Sequence, residues 1–142
     1  MVIENCVFES RIRSRVCESG TLKRFVFKNN RCVNTSFESD DPADTGGGEN
    51  SIVLESNVFE NDRQNSVCAV TLRLCGHSAS VCNNVIKGDG GAAGILVSEL
   101  SSGGTGRAFI DNNKIEGFRE TVTVSAVKDI TVSGSDIKGE IK

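Results

Sequence analysis

The stretch Val81-Cys82-Asn83-Asn84-Val85-Ile86 decides the fold, because its arrangement of residue types recurs along the whole chain of 142 residues. In each copy an apolar residue stands three positions before a central residue, and another stands two positions after it. The central residues follow one another at steps of 24, 27, 27, 29 and 22, and they are Cys6, Asn30, Asn57, Asn84, Asn113 and Ser135. Such steps are typical of solenoids, in which each unit buries its apolar face only by stacking on its neighbours.

The two flanking positions are apolar in every copy, and this sets the register between copies. The position before the central residue holds Ile3, Phe27, Leu54, Val81, Ile110 and Val132. The position after it holds Phe8, Cys32, Phe59, Ile86, Ile115 and Ile137. Both columns are predicted to point into the core of the stack.

The composition of the apolar runs indicates strands rather than helices. A helical repeat would show a 3.6-residue period over more than ten residues, whereas these runs are short, rich in Val, Ile and Phe, and interrupted by Gly, Asn and Ser. A second strand per copy is predicted at 70–74, 94–97 and 121–124. The sequence therefore predicts an all-β parallel β-helix of about five to six coils, and the handedness rule for parallel crossovers favours the right-handed form.

Polar columns agree with this register. Stacked asparagines at an inward bend can bond one another between layers about 4.8 Å apart, and buried amides are tolerated only when they are paired. Unlike charges are also predicted to oppose each other across neighbouring strands, because the position three residues after the centre alternates in sign. The predicted asparagine ladder is Asn30, Asn57, Asn84 and Asn113, and the charged column is Glu60, Lys87, Glu116 and Lys138.

These repeats resemble the parallel β-helix repeats of the pectate-lyase-like superfamily, which includes pectate lyases, polygalacturonases and phage tailspike proteins. The resemblance covers nearly the whole chain, so residues 1–142 are expected to form one β-helix domain with loop insertions near 39–50 and 98–106. It implies a fold rather than an activity, because the superfamily hosts lyases, hydrolases, epimerases, adhesins and inert shafts. Its members are often extracellular or on virions, and the sequence leaves the localisation open.

The overall charge excludes two classes of partner. The chain has 16 Lys and Arg against 19 Asp and Glu, a formal charge of −3, which gives no general attraction to nucleic acid or to an anionic membrane surface. No apolar run approaches the roughly 18 residues that a membrane-spanning helix needs. Neither nucleic acid nor a membrane is therefore predicted as a partner, and the stretch 1–5 has none of the features of a signal peptide.

The first insertion carries the carboxylates that could bind a metal ion or act in catalysis. Asp40, Asp41, Asp44 and Glu49 offer oxygen ligands suited to Ca²⁺, although their spacing matches no regular calcium loop. No cofactor is expected, with Ca²⁺ as the alternative, and Gly88–Ala93 matches a dinucleotide fingerprint only formally. That fingerprint needs a following helix, whereas a strand is predicted next, so the segment is expected to be a turn.

The catalytic candidates are Asp40, Asp41 and His77, the only histidine. Their order is similar to polygalacturonase motifs, but Asn34-Thr35-Ser36 lacks the family's Asp, and no Arg-x-Lys follows His77. His77 is therefore expected to be an exposed turn residue. Asp41 and His77 are expected not to share a cleft, because their positions differ by about a third of a coil, and nine extended residues span roughly 30 Å.

Six cysteines and two apolar outward columns complete the pattern. Cys75 and Cys82 flank one turn and are the one pair expected within disulfide range, whereas Cys6 and Cys32 fall in inward columns and are expected to behave as core residues.

Outward apolar columns are covered by a loop or meet a partner, for which a second copy of the chain is one candidate. The columns are Val2, Val26, Val53 and Phe109, and Val7, Val58 and Val85.

Together these patterns favour a β-helix module that binds polysaccharide or a protein partner without complete catalytic machinery. Two alternatives stay open at this point. One is a carbohydrate lyase or glycoside hydrolase that uses Asp40, Asp41 and His77, and the other is an oligomeric structural shaft.

Overall fold

The computed structural model describes residues 1–19, 24–40, 51–61, 68–100, 106–134 and 136–137. Every regular element in these ranges is a β-strand. The strands are β1 (Val2–Glu4), β2 (Val7–Ser19), β3 (Arg24–Lys28), β4 (Arg31–Asp40), β5 (Ser51–Glu55), β6 (Val58–Glu60), β7 (Val70–Leu74), β8 (Ser78–Cys82), β9 (Val85–Glu99), β10 (Arg107–Asp111), β11 (Lys114–Ser125), β12 (Asp129–Ser133) and β13 (Asp136–Ile137).

The strands form two stacked sheets in which all the described pairs are parallel. The first sheet has the order β1-β3-β5-β8-β10-β12, and the second has the order β2-β4-β6-β9-β11-β13, with β7 pairing β4 and β9. Successive strands of one sheet thus come from successive copies of the repeat. The parallel β-solenoid predicted from the sequence is confirmed.

The number of turns is lower than the five to six coils predicted. Successive ladder asparagines, from Asn30 through Asn57 and Asn84 to Asn113, mark about three turns in which both sheets are well developed. The first and last strands of the chain are short, with three residues in β1 and two in β13. The sequence count took each of the six central residues as a coil, including Cys6 and Ser135, which lie close to these two strands in the sequence.

The two apolar columns pack in the predicted register. Phe59 pairs with Cys32 on one side and with Ile86 on the other, and its side chain is fully buried. In the other column Phe27 pairs with Leu54, and the Phe27 and Phe59 rings stack with their centroids 6.4 Å apart. The core is therefore a continuous stack of apolar layers between the two sheets.

The buried asparagines bond from one coil to the next. The Asn84 Oδ1 accepts bonds from the backbone N–H of Asn57 at 2.9 Å and from its Nδ2 at 3.0 Å. The Asn57 Nδ2 also donates to the Phe27 carbonyl at 2.8 Å, back toward the preceding coil. Asn30, Asn57, Asn84 and Asn113 are each at most 2% exposed. The ladder therefore pairs buried amides between layers.

The residue before each ladder position adopts a left-handed backbone, because the chain turns sharply between the two sheets there. The φ angles at Asn29 and Asn83 are 52° and 58°, and Ser56 shows 57°. Asparagine tolerates this region better than most residues do. The asparagine pairs at 29–30, 83–84 and 112–113 thus combine an outward residue that makes the bend with an inward one that joins the layers.

The glycine-rich stretch at 88–93 was predicted to be a turn, but it lies within strand β9. Gly88 leaves room for the Phe118 ring of the next coil, which a side chain at residue 88 would overlap. Gly117 has a φ of 84°, and a side chain there would overlap the Gly88 carbonyl. The glycines therefore allow two neighbouring strands to approach closely at an irregular step in the register between Glu116 and Phe118.

The predicted charged column also takes its register where the structure describes it. Lys87 pairs with Glu60 on one side and with Glu116 on the other. On the first sheet, Lys28 lies opposite Glu55 with its Nζ 3.7 Å from the carboxylate. Lys138, the last member of the predicted column, lies outside the described residues.

The packing of Phe59 leads to a first prediction. The change Phe59→Ala should lower the free energy of unfolding by about 3–5 kcal/mol, because it removes a fully buried ring between two packed layers. Denaturant unfolding of the wild type and the variant measures this loss. The matched control is Phe109→Ala, which removes a ring that is 45% exposed and should cost much less. A loss below 1 kcal/mol for Phe59→Ala would contradict the observed register.

Candidate functional site

The outer face of the first sheet presents its side chains in three rows. Outward residues alternate along each strand with buried ones such as Leu54, Val81 and Ile110. On strands β5, β8, β10 and β12 the first outer row contains Ser51, Ser78, Arg107 and Asp129, the second Val53, Ser80, Phe109 and Thr131, and the third Glu55, Cys82, Asp111 and Ser133. The three rows continue on β3 with Arg24, Val26 and Lys28.

A groove of about 300 Å³ crosses this face, and residues of the first two outer rows line it. The groove extends over β5, β8, β10 and β12, and the outward residues Ser78 and Ser80 of β8 are smaller than Val53, Arg107 and Phe109 on the neighbouring strands. The small buried residues Ala79 and Ala108 also contribute to its lining. A volume of this size lies at the lower end of the range for small-molecule sites, roughly 300–1,000 Å³.

An exposed aromatic ring is the largest apolar side chain at the groove. Phe109 is 45% exposed, and its row neighbours are the two hydroxyl residues Ser80 and Thr131. An aromatic ring offers an apolar, electron-rich face, and each hydroxyl can both donate and accept a hydrogen bond. The groove therefore combines an apolar contact with several neutral hydrogen-bonding groups.

The described lining of the groove contains one positive and one negative side chain, and the two form an ion pair. The Arg107 Nε lies 3.3 Å from the Asp129 Oδ2, and both side chains are mostly exposed. These are the charged residues among the described residues that line the groove. The groove as a whole is therefore electrically neutral.

The sequence pattern identified one part of this site and missed the rest. It singled out Val53 and Phe109 as outward apolar residues, but it did not identify Ser78 and Ser80 as the floor between them. The available signal was the alternation Ser78-Ala79-Ser80, which places small side chains on both faces of one strand. This alternation indicates a groove only when the larger outward side chains on the neighbouring strands are also known.

His77 is buried, so the prediction of an exposed turn histidine was wrong. Its side chain is 4% exposed, its Nδ1 accepts a hydrogen bond from the Cys75 N–H at 3.3 Å, and its carbonyl accepts one from the Arg107 N–H at 3.0 Å. It lies at the corner between β7 and β8 and stabilises the packing of that corner against the next coil.

The corner between β7 and β8 also contains a buried carboxylate, that of Glu99. Glu99 is 8% exposed and lies opposite the core residue Leu74. Its Oε2 accepts a bond from the Gly106 N–H at 2.7 Å, and its Oε1 accepts one from the Gly76 N–H at 3.3 Å. A side chain at residue 106 would overlap this carboxylate. Sequence reasoning placed Glu99 in an insertion, whereas it ends β9 and satisfies backbone donors of two corners.

The carboxylate candidates are largely outside the part of the chain that the structure describes. Asp40 ends strand β4, whereas Asp41, Asp44 and Glu49 lie outside the described residues. The predicted separation of Asp41 from His77 therefore stays a prediction, and the Ca²⁺ alternative stays untested. Among the residues that are described, no three His, Cys, Asp or Glu side chains converge in a way that could hold a metal ion.

The cysteines differ from expectation in two respects. Cys75 and Cys82 are free thiols, so the one bridge that the sequence left plausible is not formed. Cys75 is buried, whereas Cys82 follows the core residue Val81 and lies on the outer face, with its Sγ 3.2 Å from the Ser80 Oγ. Cys6 is exposed rather than buried, because its layer has a neighbour on one side only.

Cys32 is a core residue, as predicted. It is 1% exposed and packs between Phe8 and Phe59. Burial raises the pKa of the Cys32 thiol from 9.0 to about 12, because the charged thiolate loses its hydration in an apolar layer. The thiol is therefore protonated in the folded chain and chemically inert.

Comparisons with known proteins gave no match: no family model, no curated protein and no solved structure matches the chain. Within the described ranges there is no helix that is long and apolar enough to cross a membrane.

The Cys32 thiol leads to a prediction about alkaline pH. Above about pH 9 the thiol ionises in the unfolded chain but stays protonated in the folded chain, so the unfolded state binds fewer protons and stability falls as pH rises. The contribution of Cys32 should approach 1.4 kcal/mol per pH unit. Unfolding free energies at pH 8 to 10 for the wild type and Cys32→Val measure it. Equal slopes for the two proteins would contradict this assignment.

Proposed function

We propose that this β-solenoid is a polysaccharide-binding module and that its ligand lies in the groove on the outer face of the first sheet. The observation that carries the proposal is the exposed Phe109 ring between the hydroxyl residues Ser80 and Thr131. Sugar rings present apolar C–H faces and a periphery of hydroxyls. Phe109 is suited to contact such a face, and the serine and threonine hydroxyls are suited to the periphery.

The rigidity of the site supports the same proposal. The groove residues stand on strands β5, β8, β10 and β12, which are joined by parallel pairing over their full described lengths. A binding surface built on strands holds its geometry better than one on loops, and it orders few side chains on binding. Serine, threonine and phenylalanine side chains also have few rotatable bonds to fix.

The size of the site favours a sugar chain over a folded protein. A specific protein interface buries about 800 Å² on each partner, and its binding energy concentrates in large apolar or aromatic anchors. Phe109 is the one large apolar side chain with high exposure at the described part of the groove. The groove is thus better matched to a few sugar units than to a protein surface.

Membership of the pectate-lyase-like superfamily, with its right-handed coil, is part of this proposal. It is supported by the inward apolar columns, by the asparagine ladder and by two parallel sheets built from successive coils. The proposed role requires binding alone, and no catalytic step is assigned to Asp40, Asp41 or His77. The lyase and hydrolase alternatives are tested by looking for new reducing ends or unsaturated sugars after incubation with the polymer that binds.

The Phe109 ring supplies the test of the proposed function. A screen on immobilised glycans identifies a ligand, and titration calorimetry then compares the wild type with Phe109→Ala. Loss of the ring should weaken binding at least tenfold, because it removes the main apolar contact, while the free energy of unfolding changes little.

The matched control is Leu100→Ala, which truncates an exposed apolar side chain outside the groove and should leave the affinity unchanged. Equal affinities for the wild type and Phe109→Ala would contradict the proposed site. The absence of any glycan ligand would contradict the proposed function.

A further inference from the structure

We propose that the groove selects a neutral polysaccharide over an acidic one, an inference that rests on the proposed function and specifies its ligand class. The basis is the charge arrangement around the groove. A polymer of uronic acids carries a carboxylate on each sugar, so a site for it needs several cationic or anion-binding groups in succession. A neutral hexose polymer needs hydroxyl partners and an apolar contact instead.

The single cation at the described groove lining is already neutralised. Arg107 lies 3.3 Å from Asp129 through its Nε, and a ligand carboxylate that approached Arg107 would also meet the Asp129 charge. The guanidinium keeps its other N–H donors, which can still bond a sugar hydroxyl. Arg107 is thus suited to a neutral acceptor rather than to an anion.

The neighbouring third outer row adds the negative charge of Asp111 beside the groove, since the Glu55 charge is matched by Lys28. Glu55 and Asp111 lie on either side of Cys82 in this row. The Lys28 Nζ lies 3.7 Å from the Glu55 carboxylate, whereas the Asp111 carboxylate accepts a hydrogen bond from a neutral donor, the Ser133 hydroxyl, at 2.8 Å. A polyanion laid across the strands would therefore face repulsion where a neutral chain would find hydrogen-bond acceptors.

The test compares two panels of hexasaccharides by titration calorimetry at low and moderate salt. The neutral panel consists of glucose, galactose and mannose hexaoses, and the acidic panel consists of galacturonate and mannuronate hexaoses. The wild type should bind a neutral hexaose at least tenfold more tightly than any acidic one. The affinity should be almost independent of salt, because no net charge is neutralised on binding.

Removal of the Asp129 charge should change this selectivity. Asp129→Asn leaves Arg107 without its ionic partner, so the preference for neutral over acidic hexaoses should fall at least threefold and binding of the acidic ones should become salt-sensitive. The matched control is Asp89→Asn, which makes the same change in net charge at an exposed residue of the second sheet and should leave the preference unaltered.

The possible results separate the inference from the proposed function. Tighter, salt-sensitive binding of an acidic hexaose by the wild type would overturn the neutral ligand class while leaving polysaccharide binding in place. An unchanged preference in Asp129→Asn would overturn the role assigned to the ion pair. Binding of neither panel would overturn the inference together with the proposed function.

Discussion

The hydrogen bonds between stacked asparagines are the constraint on which the rest of the structure depends. The Asn57 Oδ1 accepts bonds from the backbone N–H and the Nδ2 of Asn30, and Asn84 does the same for Asn57. A buried amide that lost its partner would cost about 1–3 kcal/mol. The ladder therefore fixes the spacing and alignment of successive coils at one corner. A strand of the first sheet ends at that corner and a strand of the second sheet begins there.

This constraint allows the coils to differ in length without losing their register. The step from Asn84 to Asn113 is 29 residues and the steps on either side of Asn57 are 27, yet the residues next to the corner keep the same pairing, as for Lys114 with Val85. Differences in coil length are taken up a few residues beyond the corner, as where the register between β9 and β11 shifts between Glu116 and Phe118. The outward residues of the first sheet consequently form straight rows. Where such a row passes from larger side chains to the serines of β8, it forms part of the groove.

The fold could be predicted from the sequence because the same pattern of apolar residues around a central residue occurs six times. Each inward column is apolar in every copy, and no helical or antiparallel arrangement would align Phe27 with Leu54 and Phe59 with Ile86 at once. The features that were missed depend on the corners. His77 is buried at the corner where the Glu99 carboxylate accepts hydrogen bonds from the Gly76 and Gly106 backbone amides, and no periodic pattern reveals such contacts. The site depends on differences in side-chain size between neighbouring strands, which appear only when the coils are stacked.

The central claim is that the buried ladder holds the coils together, and amide hydrogen exchange tests it most directly. The backbone N–H groups of Asn57 and Asn84 each donate to the side chain of the next ladder asparagine. They should exchange only through global unfolding, with a free energy of exchange equal to that measured by denaturant. Exchange of these two amides through local opening, at a free energy well below that of global unfolding, would contradict the account.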